Sequence, residues 1–126
     1  MNTPTPNPSF APQRGLRVRH EAAVLARVSI AAADAMPDGL RGLFADQMRR
    51  AAASIHANLA EGEGRPTKRD RVRFFHIAWA SLRELEAHAD LATSAGALSA
   101  TDAAALRHHC RQVGRMLHAL LGALAP

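Results

Sequence analysis

At 126 residues the chain has room for one compact domain and not comfortably for two. Apolar residues make up 48%, but aromatics are only 4%, Tyr is absent and much of the apolar count is alanine, so the core is thin and self-association is a common remedy. With 16 Lys plus Arg against 11 Asp plus Glu the formal charge is +5, which admits anionic partners including nucleic acid, while the single Cys110 excludes an intrachain disulfide.

No apolar run reaches transmembrane length, and the first residues lack a basic segment followed by an apolar one, so the expected location is the cytoplasm. Residues 1–14 carry Pro4, Pro6, Pro8 and Pro12, a spacing that forbids helix and offers little to a sheet. They are expected to be a disordered, PPII-like tail preceding a bundle domain over residues 15–125.

The first helix is predicted over residues 15–35, with Leu16, Ala23, Ala26 (or Leu25), Ile30 and Ala33 as its apolar stripe. Pro37-Asp38-Gly39 reads as a turn, and Leu40 opens the second helix. Its stripe is Leu40, Leu43, Phe44, Met48, Ala51, Ile55 and Leu59, with Gly62 and Gly64 as the stop and Pro66 barring continuation. Thr67 and Asp70 approximate a capping box for the third helix, whose stripe is Phe74, Ala78, Leu82 (or Ser81), Leu85, Ala89 and Ala92, ending near Ser94 with Gly96 at the cap. Ser99 or Thr101 caps the fourth, where Leu106, Cys110, Val113, Leu117, Leu120 and Leu124 form a near-heptad seam. Gly114 interrupts that helix and has room to admit a close neighbour. Four amphipathic helices with short connections predict an all-α, antiparallel, up-down-up-down four-helix bundle.

The segment Gly39-Leu40, Gln47-Met48-Arg49-Arg50-Ala51-Ala52, Ser54-Ile55, Asn58-Leu59-Ala60-Glu61-Gly62 and Gly64-Arg65 carries a resemblance, continued by Phe74 or Phe75, Ile77-Ala78, Ser81-Leu82 and Glu84-Leu85. Over roughly residues 16–95 the chain resembles the four-helix-bundle proteins of the 23S rRNA intervening-sequence family. More distantly it is similar to the accessory proteins of diversity-generating retroelements. Arg19 stands where that family commonly has an aromatic, and Ala80 where it has a glycine. The resemblance implies a left-handed bundle, assembly into a homopentameric ring, no enzymatic activity, and an association with RNA or DNA.

Several groups of residues are candidates for function. Gln47, Arg50, Ser54, Asn58 and Glu61 share one face of the second helix. Either they form a binding surface, or they join Ser81, Glu84 and His88 in an interhelical polar network. The network is the preferred reading, with Arg50 paired to Glu84. Arg65, Lys68, Arg69, Arg71 and Arg73 form a basic segment; Lys68 and Arg69 sit in a first helical turn, which the macrodipole disfavours, and a phosphate backbone would account for them. Arg65, Lys68, Arg69, Arg73 and Arg83 are therefore the candidate nucleic-acid contacts. Val72, His76 and Trp79 lie opposite the third helix's core stripe and are expected to form a subunit interface.

The chemistry of catalysis finds little support. The seven histidines show no recognised ligand spacing, so no metal or cofactor is expected. Glu61 and Glu63 lack an activating partner, and Cys110 lies on the apolar seam. The expected partners are further copies of the chain and RNA or DNA, the alternative being a protein-binding adaptor, with no membrane and no small-molecule substrate.

Overall fold

Four helices account for residues 12–126, which the computed structural model describes: α1 (Pro12–Asp34), α2 (Asp38–Gly64), α3 (Lys68–Ser94) and α4 (Ala100–Leu124). The tail expected over residues 1–14 lies outside the described residues as far as residue 11; from Pro12 onward the chain is helical. A proline is accommodated there because the first turn of a helix needs no intrahelical N–H partner.

Each helix packs on its neighbours in sequence, and α1 also packs on α4. The start of α1 meets the end of α2 through Arg19 and Glu63, and the end of α2 meets the start of α3 through Gly62 and Phe75. Trp79 of α3 lies beside His118 of α4. Every neighbouring pair runs antiparallel, so the order is up-down-up-down.

The helix ends follow local chemistry. Pro37 is the N-cap of α2, so Asp38 and Gly39 belong to its first turn rather than to a turn before it. Arg41 donates to the carbonyls of Asp34 and Met36, both at 3.1 Å, and so closes the end of α1. The Thr67 hydroxyl accepts from the Asp70 N–H, and the Ser99 hydroxyl from the Asp102 N–H. Past α3, Gly96 takes φ +79, and the Gly96 and Ala97 N–H groups donate to Thr93 and Ala92 in a Schellman closure.

The stripe of α4 is buried as predicted, and most of that of α2. Helix α1 differs: it buries Val18, Ala22, Leu25, Ser29, Ala32 and Ala33, with Met36 buried just past its end, and leaves Leu16 and Ile30 exposed. Alanines surround this helix, so two stripes fit its sequence about equally, and the face carrying Val18 and Leu25 is the one turned to the core. Ser29 satisfies its hydroxyl on the Leu25 carbonyl at 2.7 Å. Leu43, expected in the core, is 68% exposed. On α3 it is Phe75, not Phe74, that is fully buried.

Gly62 is not a helix stop. It is helical and buried, and a Cβ there would lie 2.8 Å from Phe75 Cδ1, closer than packed carbons approach. The missing side chain lets the Phe75 ring lie against the backbone of α2. Helix α2 runs on to Gly64 and ends at Arg65, where the chain turns extended before Pro66.

Candidate nucleic-acid interface

Neither α2 nor α4 has a basic residue in its last turn, so neither offsets its own C-terminal dipole. The start of α3 supplies that charge to both. Arg71 donates to the carbonyls of Arg65 and Pro66 at 3.0 and 3.1 Å, bracing the α2–α3 turn. Lys68 and Arg69 line one groove with Leu124, Ala125 and Pro126 at the end of α4. This gives the cations of the first turn a structural reason that does not require phosphate.

The cations do not form one patch. Arg65 and Arg73 both lie over the Phe74 ring, 4.6 and 4.8 Å from its centroid, on the α2 side. Arg65 also holds Glu61 at 3.1 Å. Lys68 and Arg69 are exposed on the α4 side and make no ion pair among the described residues. Arg83 sits further along α3, 3.7 Å from Glu86, and is separate from the corner.

The polar line contracts to a triad. Ser54 and Ser81 hydroxyls are 2.7 Å apart across the α2–α3 seam, and the Asn58 amide donates to the Ser54 carbonyl and hydroxyl at 2.8 and 3.1 Å. Gln47 and Arg50 are exposed. Glu61 turns to Arg65, and Glu84 lies 3.3 Å from His88, so the expected Arg50–Glu84 ion pair does not form. Position along a helix face was read correctly, but long side chains on that face find partners one turn away along their own helix.

Val72, His76 and Trp79 do come together, in a different setting from the one expected. Val72 and Trp79 are half-buried against the edge of their own core, not opposite it. With His118, Leu121 and Gly122 they line a groove of about 870 Å³ between α3 and α4. Sequence reasoning missed the α4 side, because Leu121 and His118 flank the seam rather than standing on it.

Two further features escaped notice. Arg49 bridges Asp34 of α1 and Asp46 of its own helix, and the Asp34 carboxylate raises its pKa above the ordinary value. Arg107, Arg111 and Arg115 stand at four-residue spacing, exposed along α4.

Residues 14–119 match the family described as 23S rRNA-intervening sequence protein. The chain belongs to this family. A solved structure from Bacteroides thetaiotaomicron, of unknown function and from the S23 ribosomal protein family, superimposes with a TM-score of 0.80. It shares 15% identity, over 86% of this chain and 98% of its own, a likeness of fold. No curated protein matches the sequence. Membership in the 23S rRNA-intervening sequence family agrees with the resemblance carried by residues 39–85, and Arg19, where the family commonly has an aromatic, proves to hold both Glu63 carboxylate oxygens at 3.2 Å.

Among the described residues no group of three or more His, Cys, Asp or Glu side chains converges as a metal site would require. Burial, then the negative charges of Glu86 and Asp90, push the Cys110 thiol up to about 12, so it stays a neutral core group. No helix among the described residues is long and apolar enough to cross a membrane.

Proposed function

We propose that this member of the family is a non-enzymatic, self-assembling helical scaffold that associates with RNA or DNA through the α2–α3 corner. One observation carries the nucleic-acid reading: Arg73 lies over the Phe74 ring on one side of the corner and Lys68 and Arg69 are exposed on the other, none of the three with an acidic partner. Two helix C-termini together offset roughly one unit of positive charge, so net positive charge remains for phosphate. The family's description, which names a 23S rRNA intervening sequence, supports the same reading.

Assembly as a homopentameric ring belongs to this proposal. Its supports are the family resemblance and a face of unpartnered apolar side chains. Leu43 and Leu91 are 68% and 59% exposed, and Ile77 is 40% exposed. Leu43 lies about three turns before Ser54, while Ile77 and Leu91 lie about one turn before and three turns after Ser81. The Ser54–Ser81 contact therefore sets all three on one side of the α2–α3 seam. This face replaces Val72, His76 and Trp79 as the proposed subunit contact.

Labelled RNA and DNA titrated by fluorescence anisotropy at rising salt tests the corner. Lys68→Gln/Arg69→Gln/Arg73→Gln should weaken binding at low salt by tenfold or more and flatten the logarithmic salt slope by about 2 to 3. Arg107→Gln/Arg111→Gln/Arg115→Gln removes the same charge from α4 and should change the slope less. If the α4 triple has the larger effect, the corner is the wrong surface. If neither nucleic acid binds at low salt, the protein-binding adaptor reading takes its place. Light scattering of Leu43→Asp/Leu91→Asp tests the assembly face: a pentamer that persists in this variant overturns it.

A further inference from the structure

We propose that the groove between α3 and α4 is a binding site for an amphipathic anion, an alkyl chain ending in a carboxylate. This goes beyond the scaffold reading and shares with it only Lys68 and Arg69. The walls are Val72, Trp79, Leu121 and Leu124, which present carbon to the space they enclose. No acidic side chain lines the groove, and its two full positive charges stand together at one end, where α4 finishes. The two cations outweigh the roughly half negative charge of the α4 C-terminus, and still do so by about half a unit where a carboxylate on Pro126 adds one more. At the other end the Trp79 and His118 rings approach to 6.2 Å.

The dimensions select the ligand. From Lys68 to Trp79 the groove follows eleven residues of α3, about 16 Å at a rise of roughly 1.5 Å per residue, long enough to take an extended ten-carbon chain and its carboxylate. A volume of about 870 Å³ is in the usual range for small-molecule sites. A nucleobase fits less well. Its edge needs several hydrogen-bonding partners, and between the cationic end and the two histidines the side chains of the walls offer only the Trp79 indole N–H. The carboxylate takes the Lys68 and Arg69 end, and the chain runs toward Trp79.

Trp79 is the only tryptophan and tyrosine is absent, so intrinsic fluorescence reports on this groove without labelling and without nucleic acid. The experiment titrates the full-length protein with submicellar decanoate, decanol, decyltrimethylammonium and acetate. Decanoate should give a saturable change in Trp79 emission, decanol a weaker one, and the cation and acetate none. Lys68→Gln/Arg69→Gln should lower decanoate affinity about tenfold and leave decanol unaffected. Decanol equal to decanoate would overturn the anion assignment. A decanoate response that disappears as protein concentration rises would show a second copy covering the groove, and no saturable response at all would also end the proposal.

Discussion

Helix α3 has two neighbours along its length and meets them in different ways. Against α2 it makes the most extensive helix–helix contact of the bundle; against α4 it makes the least. The α2 seam is built from groups that permit close approach: Gly62 beneath Phe75, Ser54 against Ser81, and Ala51 and Ala78 in the core. The α4 seam is close at Gly114 and Leu82, then parts toward the end where Val72, Trp79 and Leu121 leave the groove. Tight packing fixes which helices meet and in what register; the opening of a seam is where surface becomes concave and able to hold something. The resemblance to the family is densest on the closed seam, which explains why it conveys the fold so well and the activity so poorly.

The largest expected break is at Gly62. Gly62→Ala places a methyl group against a fully buried phenyl ring. Overpacking of this kind costs about 3 kcal/mol, and the better helix propensity of alanine returns about 1, so the net loss is about 2 kcal/mol. Urea denaturation at one fixed protein concentration measures it, because assembly contributes to apparent stability. Adding Phe75→Leu should recover part of the loss. If Gly62→Ala alone is neutral, the closed seam is looser than its geometry shows.

The same substitution on the other seam should have the opposite sign. A Cβ at Gly114 would meet Leu82 Cδ2 at 3.5 Å, ordinary contact. Gly114→Ala should therefore stabilise by about 0.5 to 1 kcal/mol, chiefly through helix propensity. A destabilising Gly114→Ala would mean that α3 and α4 pack as closely as α2 and α3, and the contrast between the seams would fail.

How much of this was legible depended on whether one helix carried the information. The α4 seam could be read because leucines and a valine recur on one face with little to compete with them. In α1 the alanines spread around the helix, so periodicity alone chose Leu16 and Ile30 over Val18 and offered Leu25 only as an alternative to Ala26. Gly62 was read as a stop because it stands in Glu61-Gly62-Glu63-Gly64 before Pro66, yet it continues the buried stripe of Ile55 and Leu59 by one more turn. The basic corner was legible as a charge run, but not its division between the Phe74 side and the α4 side. The groove was not legible at all beyond Val72, His76 and Trp79, since it exists only in the spacing between two helices distant in sequence.

The smallest expected effect tests whether polar side chains on the α2–α3 seam act across it. Only the compact ones do: Ser54, Asn58 and Ser81 sit in hydrogen-bonding contact, while Arg50 is exposed and Glu84 lies beside His88. A double-mutant cycle of Arg50→Ala and Glu84→Ala should give a coupling within about 0.3 kcal/mol of zero. The Arg19–Glu63 pair is the informative comparison, because it crosses α1 and α2, is part-buried, and puts both carboxylate oxygens 3.2 Å from one nitrogen. Its cycle should return about 0.5 to 1 kcal/mol, still modest because both side chains keep contact with water. Coupling at Arg50–Glu84 equal to that at Arg19–Glu63 would show that the seam's long polar residues do reach across in solution. In that case register between α2 and α3 would rest on charge as well as on the glycine and the serines.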